Sequence, residues 1–326
     1  MPNESPSSTR PALTLSSIRE GGKRAVARAL SALETDEASP AIARLLDDAA
    51  RSAQAHVVGL TGPPGVGKST LTNCLIRHWR ANGERVGVVA VDPSSRFSMG
   101  ALLGDRTRLD TDPTDKDIFV RSMAARDRLG GLSHEAVAAI VLMRALFDRV
   151  LVESVGIGQS EADIAFATDT VVLCIQPGSG DSLQFMKAGV MELPDIIVVT
   201  KADMGKPAMR AKADVEGALS LTTQKEKDWS APVLMVSARD DTGLQQLIAV
   251  IDQHRSNLLE RDQLPAIRRE QAAIWLLDRV RKKFGDIGLA QIDLQKEILR
   301  AGGPFAAEQA ISEDLTKRLM NSMKAK

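Results

Sequence analysis

The sequence contains no tyrosine, and aromatic residues make up only 3% of its 326 residues. Proteins that bind single-stranded nucleic acid stack bases on aromatic side chains, so this scarcity argues against that function. Two cysteines are too few for a disulfide framework or a four-thiolate zinc site. The 42 basic and 42 acidic residues balance, and the chain therefore has no excess positive charge to attract nucleic acid or an anionic membrane. The sequence therefore predicts a protein that binds neither nucleic acid nor a membrane.

Long apolar segments are missing as well. No uncharged apolar run approaches the ~20 residues that a membrane-spanning helix needs. The N-terminal segment is rich in serine and proline and contains no apolar core of a secretory signal. The hydrophobic content of 44% is ordinary for a globular chain that builds a sizeable core. We therefore expect a cytoplasmic protein.

Short apolar runs rich in valine and isoleucine fill the middle of the chain. They lie at 56–61, 85–91, 149–153, 170–175, 196–200 and 232–236. They lack alternating polar residues, as do strands that are covered on both faces of a parallel sheet. Helical periodicity occupies the segments 68–80, 134–147, 181–192, 208–225 and 243–254. This alternation predicts an α/β fold with a doubly wound, mostly parallel sheet, whose ligands bind beyond the carboxyl ends of the strands.

The flanking segments have different patterns. Residues 1–12 are rich in serine and proline and are expected to be a disordered tail. Residues 13–54 carry two apolar helical stripes and form a helical extension of the domain expected at 55–256. From 257 to 326 the strand pattern is replaced by helical stripes, after a break at Gln263-Leu264-Pro265. Periodicity leaves two interpretations of this last segment open, a helical dimerisation arm or further helices packed on the main domain.

The clearest motif follows the first apolar run. Residues 62–69 read GPPGVGKS, a complete GxxxxGK[ST] phosphate loop between a predicted strand and a predicted helix. Glycine lets the backbone curl so that its N–H groups face phosphate oxygens, and the following helix adds its positive N-terminal end. We expect Lys68 to reach the β- and γ-phosphates and Ser69 to ligate Mg²⁺. The predicted nucleotide contacts are Gly62, Pro63, Pro64, Gly65, Val66, Gly67, Lys68, Ser69 and Thr70.

Acidic residues at two other strand ends are candidates for binding the metal. The run at 149–153 leads into Glu153-Ser154-Val155-Gly156, where Glu153 can hold Mg²⁺ directly or through water. In the same motif Gly156 can offer a backbone N–H to the γ-phosphate. Asp92 ends the second predicted strand, and Asp105 lies in the polar loop behind it. These two acids can position Mg²⁺ or the attacking water, and the alternative is that they are solvated loop aspartates.

Selection of the base is predicted from the next two strand ends. Asp203 can accept both N–H donors of guanine, which adenine lacks, so the sequence predicts GTP rather than ATP. The aliphatic stem of Lys201 can cover the base. Thr200 stands where the usual NKxD pattern has asparagine, and we expect it to be a weaker bridge to the phosphate loop. An SA[K/R] loop, which offers a backbone N–H to guanine O6, is formed by Ser237, Ala238 and Arg239.

Six motifs in order along the chain resemble the MeaB family of GTPases: GPPGVGKST, VDPSS, VESVGIGQSE, QPGSGDSLQFMKAG, TKAD and VSAR. Members of that family look like G-protein chaperones of the adenosylcobalamin-dependent methylmalonyl-CoA mutase, and related sequences were labelled arginine/ornithine-transport ATPases. The resemblance implies a homodimer with N-terminal helices, a central G domain and a C-terminal dimerisation arm. It also implies mobile loops at about 92–105, 153–161 and 176–187, the third being a switch that relays the nucleotide state to the mutase.

The resemblance further implies a GTPase that gates adenosylcobalamin loading and protects the mutase, without binding cobalamin itself. Hydrolysis is expected to be slow without a partner, because Ile157 stands where DxxGQ GTPases have a water-orienting glutamine. The candidate catalytic residues are Lys68, Asp92, Asp105 and Lys187.

Two alternatives stay open. One is a metal-insertion GTPase for another metalloenzyme, a class that commonly carries His-rich tails or paired Cys/His ligands, whereas the four histidines and two cysteines of this chain are scattered. The other is an ATP-dependent kinase or transport ATPase, against which Asp203 and the loop at 237–239 argue.

Overall fold

The computed structural model describes residues 13–35, 39–92, 109, 111–124, 132–154, 160–178, 193–221 and 229–324. Three helices precede the first strand: α1 (Leu15–Glu20), α2 (Gly22–Thr35) and α3 (Pro40–Arg51). The two stripes predicted in the N-terminal extension correspond to α2 and α3. Pro40 occupies the first turn of α3, where its fixed φ suits a helix start and its missing N–H is not needed.

The middle of the chain forms a parallel sheet with helices between its strands. The strands are β1 (His56–Thr61), β2 (Val86–Asp92), β3 (Ile118–Ala124), β4 (Arg149–Glu153), β5 (Thr170–Ile175), β6 (Ile196–Val199) and β7 (Val233–Met235). The helices are α4 (Lys68–Ala81), α5 (His134–Leu146), α6 (Ser160–Ala165), α7 (Lys206–Leu221) and α8 (Leu244–Glu260). Within the described ranges the strand order is β3-β2-β4-β1-β5-β6-β7, and every pair is parallel. The predicted α/β fold with a mostly parallel sheet is confirmed.

Every predicted strand is present, and β3 is an additional one. It lies at the edge of the sheet, and its residues are mostly half-buried. Arg121 and Ser122 therefore interrupt its apolar residues, and the continuous apolar run that marks a central strand is absent. The helix predicted at 181–192 lies outside the described residues.

The two faces of the sheet bury separate apolar clusters. Val57, Val150 and Val152 face α2, α3 and α5, whereas Val58, Leu60 and Leu151 face α4 and α8. Each fully buried side chain of this kind stabilises the fold by roughly 1.5–3 kcal/mol. Strand β1 lies at the centre, and the register pairs Leu60 with Glu153 on one side. On its other side Thr61 pairs with Leu173, so the segment after β1 emerges between the ends of β4 and β5.

Three helices follow the sheet: α9 (Gln263–Leu289), which is interrupted by non-helical backbone at Gly285, α10 (Leu294–Ala301) and α11 (Pro304–Lys324). The predicted boundary at 256/257 lies inside α8, and the chain turns instead at Arg261–Asp262. Pro265 falls in the first turn of α9, where no N–H is needed. None of the helices in these ranges is long and apolar enough to cross a bilayer.

These C-terminal helices pack on α3 and α5 of the same chain. Phe305 joins the apolar cluster of α2, α3 and α5, with Trp275 against it. Arg268 of α9 pairs with the buried carboxylate of Asp169 at 2.7 Å, and Gln271 donates to the carbonyl of Thr168 at 2.7 Å. The C-terminal segment therefore packs on the main domain, which is the second of the two interpretations given above. That the same helices also form a dimerisation arm remains a proposal.

Candidate nucleotide-binding site

The phosphate loop between β1 and α4 has the backbone that its glycines predict. Gly62, Gly65 and Gly67 have φ values of 134°, 75° and 105°, a region that L side chains rarely adopt. A Cβ on Gly62 would overlap the carbonyl of Cys174 at the end of β5. Val66 is fully buried and fixes the loop to the apolar core beneath it. The loop is thus held in the curled form that cradles phosphate.

Lys68 begins α4 and lies over this loop. Its Nζ donates to the carbonyl oxygen of Gly62 at 2.7 Å and to that of Pro63 at 3.2 Å. The residue is buried, with 6% of its surface exposed, so the charge is held inside the concave side of the loop. An ammonium with three rotatable donors can exchange neutral carbonyl partners for phosphate oxygens.

Oxygen atoms suited to a divalent cation lie beside Lys68. The hydroxyl of Ser69 donates to Oε1 of Glu153 at 2.7 Å, and the hydroxyl of Thr72 donates to Oε2 at 3.1 Å. A hydroxyl and a carboxylate are the hard oxygen ligands that Mg²⁺ prefers, so these residues fit that ion. No motif predicted a role for Thr72, although its position three residues after Ser69 places both on one side of the helix.

Four predicted residues of the phosphate end have no described side chain. Asp92 is the last residue of β2, two residues beyond the one that pairs with Glu153, and only its backbone is described. Asp105, Gly156 and Lys187 lie outside the described residues.

The base-reading residues meet at the ends of β6 and β7. Oδ1 of Asp203 accepts a hydrogen bond from the hydroxyl of Ser237 at 2.9 Å, and Ser237 is fully buried. The hydroxyl of Ser237 also accepts from the backbone N–H of Arg239 at 3.3 Å. The guanidinium of Arg239 lies 4.0 Å from Oδ2 of Asp203, but its side chain is 85% exposed, so this pair adds little. The predicted loop Ser237-Ala238-Arg239 therefore contacts and orients the carboxylate of Asp203.

Thr200 and Lys201 join the base end to the phosphate end. Thr200 Oγ1 lies 2.7 Å from the carbonyl oxygen of Val66, so the expected bridge to the phosphate loop is present with threonine in place of asparagine. Lys201 Nζ donates to the carbonyl of Gly65 at 3.2 Å and to Oε1 of Gln176 at 2.7 Å. Gln176 follows β5, and its contact with Lys201 depends on β5 and β6 being neighbours in the sheet.

The cysteine below the phosphate loop is structural. Cys174 is fully buried in β5, and burial raises the pKa of its thiol to about 12. Because the thiol stays protonated at neutral pH, it is not a nucleophile.

The comparisons with known proteins agree with this geometry. A family model described as methylmalonyl-CoA mutase-associated GTPase MeaB matches residues 26–291. A protein of Pyrococcus horikoshii that is named as a GTPase is 44% identical over 260 residues, which are 77% of this chain and 80% of that protein. The mouse protein named methylmalonic aciduria type A homolog, mitochondrial, is 36% identical over 228 residues, which are 69% of this chain and 55% of that protein.

The crystal structure of an LAO/AO transport system kinase has a TM-score of 0.67 at 24% identity, covering 93% of this chain and 96% of its own. At that identity the likeness shows a shared fold. The family match runs from α2 through the whole sheet into the C-terminal helices, and it includes the phosphate loop and both base-reading strand ends. The resemblance seen in the sequence is therefore confirmed, and the chain belongs to the MeaB family of methylmalonyl-CoA mutase-associated P-loop GTPases.

Proposed function

We propose that this protein is a GTP-hydrolysing chaperone that gates adenosylcobalamin loading of methylmalonyl-CoA mutase and protects that enzyme. The match of residues 26–291 to a family described as mutase-associated carries the choice of partner. The name of the mouse relative, which refers to methylmalonic aciduria, supports the same client. We place the protein in the cytoplasm, a reducing compartment that keeps thiols such as those of Cys74 and Cys174 unpaired.

The geometry supports guanine nucleotides as the ligand. The phosphates would lie over residues 62–70, with the charge of Lys68 facing them. The base would lie between the stem of Lys201 and the loop at 237–239, with its N–H donors on Asp203. Gly156 is proposed to contact the γ-phosphate. Because Thr200 and Lys201 both bond the phosphate loop, the two ends of the site keep a fixed spacing, as one nucleotide requires.

Mg²⁺ is the proposed cofactor. Ser69 and Glu153 would hold it, with Asp92 and Asp105 as further proposed ligands. The ion supplies positive charge against the phosphate oxygens when it is bound. Thr72 fixes the second oxygen of Glu153, and the carboxylate is thereby kept at the tip of β4. Lys68, Asp92, Asp105 and Lys187 are the proposed catalytic residues.

Self-association through the C-terminal helices is part of the proposal. After packing on α3 and α5, these helices still expose large apolar side chains, namely Ile287, Leu299, Leu319, Met320 and Met323. Leu299 and Ile287 are 83% and 81% exposed. Burying such a side chain is favourable by roughly 1.5–3 kcal/mol relative to leaving it in water. We propose that α9–α11 form a dimerisation arm and that a second copy of this chain covers these residues.

The deciding experiment is a pull-down with purified methylmalonyl-CoA mutase in GDP, in a non-hydrolysable GTP analogue, and without nucleotide. We expect capture of the mutase to depend on the nucleotide added. In the Lys68→Ala variant that dependence should vanish while the fold is retained, because the lost charge faces the ligand site. Equal capture in all three conditions would contradict a nucleotide-gated chaperone, and no capture in any would contradict the choice of client.

Light scattering tests the arm. Full-length protein is expected to be dimeric at micromolar concentration, and Leu299→Glu should shift it toward monomer. Leu259→Glu, at an exposed position of α8, is the matched control. A monomeric wild-type chain would refute the dimer.

A further inference from the structure

The ammonium of Lys201 is held from two sides at the carboxyl edge of the sheet. One acceptor is the carbonyl of Gly65 in the phosphate loop, at 3.2 Å, and the other is Oε1 of Gln176, at 2.7 Å. We infer that Gln176 is a positioning residue for base binding, which acts by fixing the lysine that covers guanine. The inference rests on the proposed function, since it presumes that Lys201 covers the base.

Backbone pairing places Gln176 where it can do this. Ile175 pairs with Val199 in the register of β5 and β6, and the carbonyl of Ile175 accepts from the N–H of Thr200 at 2.8 Å. Gln176 directly follows Ile175, and Lys201 directly follows Thr200, so both lie just beyond the ends of the two strands. Lys201 has φ 54°, in the left-handed region, so the chain turns at this residue. The contact therefore follows from neighbouring strand ends and a defined turn.

The second acceptor matters because Lys201 is an exposed, long side chain. Ordering a long lysine side chain costs conformational entropy. With Nζ bonded at Gly65 and Gln176, both ends of the four-carbon stem are fixed before the nucleotide arrives. Removing the glutamine oxygen leaves one neutral acceptor, and the stem regains rotamers that do not cover the base. The loss should appear as faster dissociation of the nucleotide.

The same contact attaches the segment after β5 to the base site. Gln176 is the first residue after β5. The start of the phosphate loop also touches β5, since Gly62 lies against the carbonyl of Cys174. The end of β5 thus contacts both the phosphate loop and the base-covering lysine, so a shift of Gln176 alters how tightly guanine is held.

A double-mutant cycle with GDP tests the inference. Dissociation constants by calorimetry and dissociation rates by stopped flow with a fluorescent GDP are measured for four proteins: wild type, Gln176→Ala, Lys201→Met and the double variant. Lys201→Met keeps a stem but removes the ammonium. We expect Gln176→Ala to raise the dissociation constant roughly three- to tenfold, which is the net effect of one hydrogen bond of ordinary strength. In the Lys201→Met background the same change should have less than a twofold effect.

Two further variants separate positioning from loss of structure. Gln176→Glu keeps an acceptor oxygen and should bind GDP within about twofold of wild type. Gln253→Ala removes an exposed glutamine of α8 and should leave GDP affinity unchanged. Unchanged affinity in Gln176→Ala would overturn the inference, and so would an equal loss in both backgrounds. If wild-type protein failed to bind GDP, the proposed function would fail instead.

Discussion

We propose that the side chain of Asp203 selects the base. Its Oδ1 accepts from Ser237, and its carboxylate is otherwise available to pair with the two N–H donors of guanine. Asp203→Asn replaces one acceptor by an amide donor, which pairs with the carbonyl that xanthine has in place of the guanine amine. We expect GDP affinity to fall about 30- to 100-fold, equivalent to ~2–3 kcal/mol, and xanthosine diphosphate to become the better ligand.

Calorimetry with both diphosphates measures this change. Asp214→Asn is the matched control, because Asp214 is exposed on α7. A variant that keeps its preference for GDP would show that another residue reads the base.

Residue roles were predictable where one local segment holds all the partners. Residues 62–69 form their loop from their own glycines and the following helix, so the motif alone predicted the fold of that segment. The contacts of Thr200 with Val66, and of Gln176 with Lys201, cross between separate strands. Whether these side chains meet depends on which strands are neighbours in the sheet, and a sequence motif does not give the strand order. The sequence therefore did not show that Thr200 reaches the phosphate loop, and it predicted that threonine would be a weaker bridge than asparagine. In the structure Thr200 lies within hydrogen-bond distance of the carbonyl oxygen of Val66.

At the scale of elements, two histidines connect β1, β5 and α8. Thr170 Oγ1 lies 2.7 Å from Nε2 of His56 and 2.8 Å from Nδ1 of His254, and all three residues are buried. One hydroxyl can donate to one imidazole and accept from the other only if at least one ring nitrogen is unprotonated. Burial lowers the pKa of His56 to about 3 and that of His254 to about 4.

This pair predicts acid sensitivity with a definite sign. In the unfolded chain each histidine takes up a proton near pH 6.5, whereas in the folded chain it stays neutral to about pH 4 or below. The unfolded state therefore binds more protons, and the free energy of unfolding falls as pH drops below 6.5. We expect a loss of about 2 kcal/mol per histidine between pH 6.5 and 5, at ~1.4 kcal/mol per pH unit.

Urea unfolding at pH 7, 6 and 5 measures that slope. His254→Gln should flatten it, since glutamine keeps a hydrogen-bonding group but does not titrate. His78→Gln on α4 is the control and should keep the wild-type slope. An unchanged slope in His254→Gln would contradict the assignment.

A second element-scale feature is the cap of α11 by a residue of α3. Asp47 is buried, and its two oxygens accept from the backbone N–H groups of Phe305 at 3.1 Å and Ala306 at 2.9 Å. These are N–H groups of the first helical turn, which have no partner inside the helix. The close approach also requires Gly303, because a Cβ there would overlap the carboxylate.

Asp47→Ala is expected to lower the free energy of unfolding by about 1–3 kcal/mol, because it leaves one buried and one half-buried backbone donor without their cap. Asp48→Ala, next to it but exposed and paired with Arg51, should cost less than ~1 kcal/mol. Thermal unfolding of both variants gives the comparison. Equal stability of the two would mean that the contact of α3 with α11 does not depend on this cap.

Elements were predictable where their burial is uniform. Strands β1, β4 and β5 are buried along their whole length and appear in the sequence as unbroken apolar runs. Strand β3 is half-buried at the sheet edge and gives no such signal. The short helix α1 begins with a capping box between Thr14 and Ser17 rather than with an apolar stripe, so periodicity missed it.

At the scale of the whole molecule, the C-terminal helices pack on their own chain, and we propose that they also contact a second copy. Periodicity showed their apolar stripes but not which surface covers them. In the structure Leu276 and Val280 of α9 pack against Ile311 and Leu315 of α11, and Phe305 packs on the N-terminal helices. Side chains such as Leu299 remain exposed and are available to a second copy. A single sequence cannot distinguish packing within one chain from packing against a second copy, because both require apolar residues at the same helical spacing.

The nucleotide site lies in the sheet domain. Its sequence lacks the glutamine that orients the attacking water in many GTPases. Ile157 occupies the place of the glutamine that orients the attacking water in DxxGQ GTPases, and its side chain cannot hydrogen-bond. The charge of Lys68 and the carboxylate of Glu153 are held by hydrogen bonds at the phosphate end of the proposed site. We therefore expect the free protein to hydrolyse GTP slowly, because positioning contributes several kcal/mol to such a reaction.

Binding of methylmalonyl-CoA mutase is expected to raise the rate, since a docked partner can position the proposed catalytic residues Asp92, Asp105 and Lys187. An increase of roughly ten- to a thousandfold corresponds to ~1.4–4 kcal/mol of barrier. GTP turnover is measured with and without excess mutase, with complex formation verified in the same samples. Lys187→Ala should reduce the stimulation more than the rate of the free protein. An unchanged wild-type rate in the verified complex would mean that this client does not gate the nucleotide cycle.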